Sequence, residues 1–195
     1  MIKKTISLLG ILFVCYLLIS ATLQKSSSGA PASHTGAPGE KTCAASGCHD
    51  DHALNSGTAV LNVTVLNADS AAEHNKLYTI EIGIEDKDVE RFGFQVVALT
   101  ENTLQNAGVF EITDTYRTQL LTNRYELKDR QYVTYTFNGT DAVRKGKGYW
   151  QVKWKAPEKI KENIVFYVAA VSGNDDMHDS GDYTYTARYQ LKNKN

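Results

Sequence analysis

Apolar and polar residues alternate along most of the chain beyond residue 58. The clearest example is the segment in which Trp150, Val152 and Trp154 are separated by polar residues. An alternation with a period of two is typical of a strand with one buried face, so these three side chains are predicted to point into a core. Lys153 and Lys155 are predicted to face water. Alternation predicts strands at residues 59–65, 78–84, 92–99, 133–137, 150–154 and 183–189.

A continuous apolar run covers residues 164–171. A strand that is buried on both faces loses the alternation, so this run predicts a central, doubly covered strand. No convincing long amphipathic helix follows residue 23, and Gly, Asn and Asp separate the apolar segments. Many short strands with such connections favour an all-β fold, an antiparallel β-sandwich.

The first 23 residues form a segment of a different kind. Lys3 and Lys4 precede an apolar stretch over residues 6–23, which is the pattern of an export signal. Ser20 and Ala21 do not form a clear cleavage site, so a cleaved signal peptide and an uncleaved membrane anchor both stay open. Either way the chain is expected outside the cytoplasm, in the periplasm, on the outer cell surface or secreted.

The chain after this leader divides into two parts. Residues 24–57 are rich in Ser, Gly and Pro and form a predicted irregular arm, and residues 58–191 form the predicted sandwich domain. Of the 195 residues, 42% are apolar and 10% aromatic, which suffices for one buried core. Without the first 20 residues there are 19 basic and 22 acidic side chains, which argues against a nucleic-acid partner.

One segment of the arm, from Thr42 to His49, concentrates the residues that carry chemistry. Cys43 and Cys48 are separated by four small residues, and His49 directly follows the second cysteine. This is the less common, four-residue-spacer form of the attachment motif for covalent c-type haem. In that chemistry two thiols add across the haem vinyl groups and the adjacent imidazole binds the iron. The motif predicts that Cys43 and Cys48 hold haem and that His49 is the proximal ligand.

Two alternatives for the same residues stay open. Exported cysteines seldom remain unpaired, so Cys43 and Cys48 can instead form a disulfide that staples a short loop, with His49 as an incidental neighbour. The two cysteines together with His49 and His52 can also be interpreted as zinc ligands, although they are crowded for a tetrahedral site.

The sixth iron position, on the side of the haem opposite His49, has several candidates. His34 lies in the arm nine residues before the first cysteine and is the first choice. His178 or Met177, in a loop between two predicted strands, is the second choice, and an iron with an open or water-filled position ranks nearly level. His52 lies only three residues from His49, so it cannot reach the opposite side of the same iron.

A predicted acidic loop between the last two strands is the remaining candidate site. It gathers four carboxylates, those of Asp175, Asp176, Asp179 and Asp182. Calcium could bind there, but the spacing does not match an EF-hand and a solvated loop is favoured. The sequence contains no Gly-x-Ser-x-Gly, no phosphate-binding loop and no His-Glu-x-x-His. These absences favour an electron carrier or a binding module over an enzyme.

Short motifs follow one another in a distinctive order between residues 35 and 186. They are Thr35-Gly36-Ala37-Pro38-Gly39-Glu40, the cysteines with His49, Asn55-Ser56-Gly57, Trp154-Lys155-Ala156-Pro157, Val165-Phe166-Tyr167-Val168-Ala169-Ala170 and Gly181-Asp182-Tyr183-Thr184-Tyr185-Thr186. In this order they resemble the Reeler-like, choice-of-anchor V domains of exported Bacteroidetes proteins. The resemblance implies an immunoglobulin-like β-sandwich at or beyond the cell surface, and related members often carry a Cys-x-x-Cys-His haem motif.

One departure from the family bears on the iron ligands. The resemblance implies a histidine near the position of Tyr135, and this chain has tyrosine there. If that histidine binds iron in the relatives, this chain uses another ligand.

Two functions follow from the sequence. The first is an exported protein with one covalent c-type haem that serves electron transfer or redox sensing at the cell envelope. The second is a non-enzymatic surface binding or adhesion module in which Cys43 and Cys48 form a disulfide. The sequence identifies neither a redox partner nor a surface ligand, and membrane attachment through the N-terminal segment stays open.

Overall fold

A computed structural model of the chain describes residues 29–45, 47–176 and 178–194. Within these residues it contains ten strands and one short 3-10 helix, Phe137–Thr140. The strands are β1 (Val60–Leu66), β2 (Ala71–Ala72), β3 (Leu77–Glu85), β4 (Arg91–Thr100), β5 (Val109–Glu111), β6 (Thr118–Thr122), β7 (Gln131–Tyr135), β8 (Lys147–Lys155), β9 (Ile164–Gly173) and β10 (Tyr183–Asn193). The predicted all-β fold is confirmed.

The strands form two sheets that pack face to face. The first has four strands in the order β1-β3-β8-β5, and the second has six in the order β2-β10-β9-β4-β7-β6. All pairings are antiparallel except the short parallel contact of β2 with β10. Aromatic rings join the sheets: the ring centroids of Phe94 and Trp150 lie 4.5 Å apart, and those of Trp154 and Phe166 lie 4.9 Å apart. The sheets therefore enclose one core, as a β-sandwich does.

The alternation in β8 has the predicted orientation. Trp150, Val152 and Trp154 are each at most 2% exposed and belong to the core between the sheets. Lys155 is exposed and Lys153 is half-buried on the opposite face. Because side chains of a strand alternate between its two faces, the sequence pattern was sufficient to predict which side chains of β8 are buried.

β9 is a central strand that is covered on both faces, as its continuous apolar run predicted. It pairs with β4 on one side and β10 on the other. Phe166, Val168 and Ala170 face the core between the sheets, whereas Ala169 and Val171 pack against Cys43 of the arm. The arm is therefore the layer that covers the outer face of this strand.

The arm lies across the outer face of the six-stranded sheet. Residues 29–57 contain no strand or helix where they are described, as predicted, but they are packed against the domain. Ala37 is only 2% exposed and contacts Val97, Leu99 and Tyr132 of the sheet. This covering role was not anticipated, because a Ser/Gly/Pro-rich segment gives no apolar periodicity from which burial can be predicted.

A buried ion pair fixes the arm to the sheet. The side chain of Glu40 is fully buried and that of Arg130 is 7% exposed, and Glu40 Oε1 lies 2.6 Å from Arg130 Nη1. Tyr132 donates its hydroxyl to the same oxygen at 2.9 Å, and Thr35 donates its hydroxyl to Oε2 at 2.6 Å. A buried carboxylate is tolerated only with such partners, so these four residues, here called the arm latch, specify where the arm docks.

The described residues contain no helix long and apolar enough to cross a membrane. The predicted leader, residues 1–23, lies outside the part of the chain that the structure describes.

Candidate functional site

The cysteine motif folds into a compact turn on the surface of the sheet. The backbone N–H of Ala45 donates to the carbonyl of Thr42 at 3.0 Å, and that of Cys48 donates to the carbonyl of Ala45 at 2.9 Å. The N–H of His49 then donates to the carbonyl of Cys43 at 3.2 Å and closes the loop. The two thiol-bearing residues and the imidazole therefore converge in one turn, although residue 46 lies outside the described part.

Cys43 is the buried member of the pair. It is 7% exposed, it packs against Ala169 and Val171, and its Sγ lies 3.9 Å from the carbonyl oxygen of His34. Burial, with a smaller contribution from the charge of Cys48, raises the pKa of the Cys43 thiol from 9.0 to about 12. Cys48 is half-buried, and no disulfide joins the two in this structure. Cys43 is therefore almost entirely protonated at neutral pH and unreactive while the arm is docked.

His49 faces a carboxylate that belongs to the sandwich. Its Nδ1 lies 2.6 Å from Oδ2 of Asp182, whose side chain is 5% exposed, while the histidine side chain is 28% exposed. The carboxylate lies off the in-plane N–H direction of the ring, since Nδ1 has no aligned hydrogen-bond acceptor within the described residues. The contact is therefore a close electrostatic pair. Oδ1 of Asp182 accepts from the backbone N–H of Asn174 at 2.9 Å.

The rest of the arm docks along β10. The backbone N–H of Gly181 donates to Asp51 Oδ2 at 2.9 Å, and the Thr184 hydroxyl donates to the carbonyl of His49 at 3.3 Å. The rings of His52 and Tyr183 are stacked at 4.0 Å. These contacts place the motif beside the loop that joins β9 and β10.

Tyr135 completes the surroundings of the motif. Its ring fills the space above Gly93, where an added Cβ would lie 2.5 Å from the ring atom Cε1. Burial raises the pKa of the Tyr135 phenol above its usual range, and the charges of the two motif cysteines and of Asp182 raise it further. The position for which the family resemblance implied histidine therefore lies at the motif.

His34 is brought to the motif by the path of the arm. Its carbonyl contacts the thiol of Cys43, and its backbone N–H donates to Gln95 Oε1 at 2.8 Å. Its Nδ1 lies 3.0 Å from the carbonyl oxygens of Pro31 and Ala32. Because carbonyl oxygens only accept hydrogen bonds, Nδ1 carries the proton and Nε2 keeps its lone pair, as a metal ligand requires.

The second pair of candidates lies in the loop between β9 and β10. His178 is exposed, and its backbone N–H donates to Asp176 Oδ1 at 2.8 Å. The same loop contacts the arm through Gly181, so the docking that a ligand from this loop requires is present. Met177 lies outside the described residues. A ligand role for either residue stays a prediction.

The zinc and calcium interpretations gain no geometric support. Among residues 29–45, 47–176 and 178–194, no three or more His, Cys, Asp or Glu side chains are arranged to hold a metal ion. In the acidic loop, Asp175 Oδ1 lies 3.0 Å from Arg91 Nε, and both oxygens of Asp182 already have close partners. Calcium at this loop stays a prediction.

The residue types at the motif are those that covalent attachment of haem requires, but Cys43 is accessible for it only when the arm is undocked. The chemistry needs two unbridged thiols and an imidazole that presents one nitrogen to iron. Cys43 and Cys48 supply the thiols, and the close carboxylate at Nδ1 of His49 leaves Nε2 as the nitrogen that can bind a metal. Small or apolar side chains, those of Ala169 and Val171, form the adjoining surface of the sheet.

Two contacts of the site were not predicted. The sequence analysis placed Asp182 in an acidic loop and did not pair it with His49, which lies 133 residues earlier in the chain. The arm latch was also missed, since Glu40 and Arg130 are distant in sequence. Tyr135 was noted only as a departure from the family pattern, and that departure was a usable signal.

Comparison with known proteins supports the fold. No protein-family model and no curated protein matches the chain. The human F-spondin reeler domain matches 69% of this chain over 89% of its own length, with 19% identity and a TM-score of 0.51. The Reelin-N domain of F-spondin matches 75% of this chain over 95% of its own length, with 18% identity and a TM-score of 0.52. The chain therefore has a Reeler-like β-sandwich fold.

Proposed function

We propose that this chain is an exported protein that carries one covalent c-type haem and transfers electrons or senses redox state at the cell envelope. Cys43 and Cys48 would hold the haem and His49 would be a ligand of its iron. Bound there, the haem would supply one-electron redox chemistry. Redox activity of this kind needs no catalytic side chain, which agrees with the absence of hydrolase and phosphate-binding motifs from the sequence.

The convergence of the motif carries this proposal. The hydrogen bond from His49 N–H to the Cys43 carbonyl, 3.2 Å long, closes a turn that holds both cysteines beside the imidazole. A disulfide would also be compatible with this turn, and in that form the pairing of His49 with the buried Asp182 would serve only to dock the arm. Orientation of a metal-binding imidazole by a carboxylate is a common arrangement in metal sites, and it supports the haem interpretation.

Burial of Cys43 sets the order of assembly. Its pKa of about 12 leaves almost no thiolate at neutral pH. Thioether formation adds the sulfur to one vinyl carbon and a proton to the other, and it requires a reactive thiol within reach of the haem. The thiols would therefore react while the arm is still undocked, and the arm latch would close afterwards.

The visible absorption spectrum of the full chain, exported from a host that matures c-type cytochromes, tests the proposal. We expect haem that stays attached under denaturing conditions, and we expect Cys48→Ser and His49→Ala to abolish the normal spectrum. His74→Ala is the matched control, because His74 lies away from the motif with its Nδ1 2.9 Å from the carbonyl of Glu158. A colourless protein whose mass is lower by two hydrogens would instead indicate a Cys43–Cys48 disulfide and the binding-module alternative.

The sixth iron position is tested in the same protein. Low-temperature electron paramagnetic resonance of His34→Ala and His178→Ala compares the two histidine candidates. We expect His34→Ala to change the signal, because the backbone of His34 lies against Cys43 and its Nδ1 faces two carbonyl oxygens, which leaves Nε2 as the nitrogen that can bind a metal. A low-spin signal that survives both substitutions would rule out both histidines.

A further inference from the structure

We propose that Asp182 is a positioning residue that determines which nitrogen of His49 is presented to the iron. The inference rests on the proposed haem function and adds to it a residue from the sandwich, far from the motif in sequence. Asp182 itself would not touch the haem iron. It would act by fixing the protonation and orientation of the imidazole.

The position of Asp182 is set by the sandwich and not by the arm. It directly precedes β10, and its Oδ1 is held by the backbone N–H of Asn174 at 2.9 Å, just after β9. Its side chain is only 5% exposed, so Oδ2 is presented to His49 from a buried, fixed location. The bond from Asn174 lies within the sandwich, so it orients the carboxylate independently of the arm, and the docked arm completes its burial.

The short distance between Nδ1 of His49 and Oδ2 of Asp182 bears on which ring nitrogen carries the proton. A carboxylate oxygen and an unprotonated imidazole nitrogen are both acceptors, and two acceptors 2.6 Å apart would repel one another. The contact therefore favours the tautomer of the neutral ring that carries its proton on Nδ1, although the approach is not aligned with the N–H bond. The neutral ring then has its lone pair on Nε2, and no hydrogen bond occupies Nε2 within the described residues.

The remaining contacts hold the ring in this orientation. The Thr184 hydroxyl donates to the carbonyl of His49, and Asp51 accepts from Gly181 N–H in the same loop. The backbone of His49 is thus held by Thr184, and its ring is held at Nδ1 by Asp182. A metal-bound imidazole whose other nitrogen faces a carboxylate is a more electron-rich ligand, which stabilises the oxidised form of an iron centre.

Replacing Asp182 by asparagine puts a hydrogen-bond donor where the carboxylate presents an acceptor, with little change in the shape of the side chain. The amide oxygen of the Asp182→Asn side chain would keep the bond from Asn174 N–H, so its NH2 group would face Nδ1 of His49. An N–H donor favours an unprotonated Nδ1 and moves the proton to Nε2, which is the wrong tautomer for metal binding. Asp175→Asn is the matched control, because it removes the same charge from the same loop but Asp175 pairs with Arg91.

The test uses two measurements on the full chain. Long-range proton–nitrogen NMR of the haem-free protein reports the tautomer of His49, and redox titration of the haem-loaded protein reports the midpoint potential. We expect Asp182→Asn to move the proton from Nδ1 to Nε2 in the first measurement and to shift the potential to more positive values in the second. We expect Asp175→Asn to change neither.

The outcomes separate this inference from the proposed function. Wild-type protein with covalent haem, together with an unchanged tautomer and potential in Asp182→Asn, would overturn the role of Asp182 and leave the haem function standing. Wild-type protein that carries no haem would overturn the proposed function and the ligand role of Nε2 with it. The NMR measurement would still decide whether Asp182 positions the ring.

Discussion

The arm latch predicts that one distant substitution exposes the motif. Arg130→Ala leaves the fully buried carboxylate of Glu40 without its cationic partner. Removing one member of a buried pair costs about 3–5 kcal/mol, and each 1.36 kcal/mol is a tenfold change in an equilibrium constant, so opening of the arm should become about 10²- to 10⁴-fold more favourable. Cys43 is protected only while the arm is docked, so its alkylation should accelerate by the same factor.

Alkylation of the reduced, haem-free chain, followed by mass spectrometry of peptides, measures this change. Cys48 is the internal reference, because it is already half-exposed and should react at a nearly unchanged rate. Lys145→Ala is the control, since the Lys145–Asp88 pair is well exposed and such pairs contribute little. The milder Tyr132→Phe removes the hydroxyl that bonds Glu40 and Ser33, about 1 kcal/mol for each bond, and should accelerate the labelling of Cys43 about 5- to 30-fold.

One result would refute the reasoning. If Arg130→Ala keeps its β-sheet circular dichroism and its Cys43 reacts as slowly as in the wild type, docking of the arm does not depend on the latch. Global unfolding of Arg130→Ala would not decide the question by itself. Tyr132→Phe, which perturbs the latch least, then gives the answer.

Three further predictions concern the sandwich and its cover. Trp154→Ala should cost about 3–5 kcal/mol in urea unfolding, far more than Lys153→Ala, and equal costs would contradict the face assignment. Gly93→Ala places a methyl group 2.5 Å from a tyrosine ring and should cost about 1–3 kcal/mol, whereas Gly83→Ala meets nothing closer than 3.9 Å and should be near neutral. The pKa of Cys43 is raised from 9.0 to about 12 in the folded state, so in the haem-free chain its contribution to stability is complete below pH 9 and is lost as pH rises toward 12. Cys43→Ala should flatten this decline in a series of urea titrations, and an unchanged slope would exclude the thiol as its cause.

The long strands could be predicted because apolar and polar residues alternate along them, which indicates one buried and one exposed face. β1, β3 and β4 coincide with the predicted segments to within one residue at each end. β8 and β10 contain the predicted segments but extend three and four residues beyond them at one end. β2, β5 and β6 were missed. They have two, three and five residues. All three lie at the edges of their sheets, where apolar side chains can stay partly exposed, as Leu120 does at 41%. A period of two cannot be detected over two or three residues, and in β6 the adjacent Leu120 and Leu121 interrupt the alternation.

The docking of the arm on the sheet could not be predicted from local sequence patterns. Its composition correctly predicted the absence of regular structure, but composition does not encode the partners that bury Ala37. Those partners are Val97, Leu99 and Tyr132, which are brought together by the register of β4 and β7. The same holds for the acidic loop, where four carboxylates looked alike in sequence and the contact of Asp182 with His49 is a tertiary one.

The residues at the motif fall into two sets that differ in their distance along the chain. The groups that would bond to haem are contiguous, from Cys43 to His49, because covalent attachment needs them within one turn of an unfolded segment. The groups that orient or shield them, Asp182 and Val171 among them, come from the sandwich and act only after the arm has docked. The residues proposed to bind haem are therefore visible in the sequence, whereas the contacts that would tune it are tertiary. In a haem-loaded protein, substitution of Asp182 should alter the midpoint potential without abolishing the attachment.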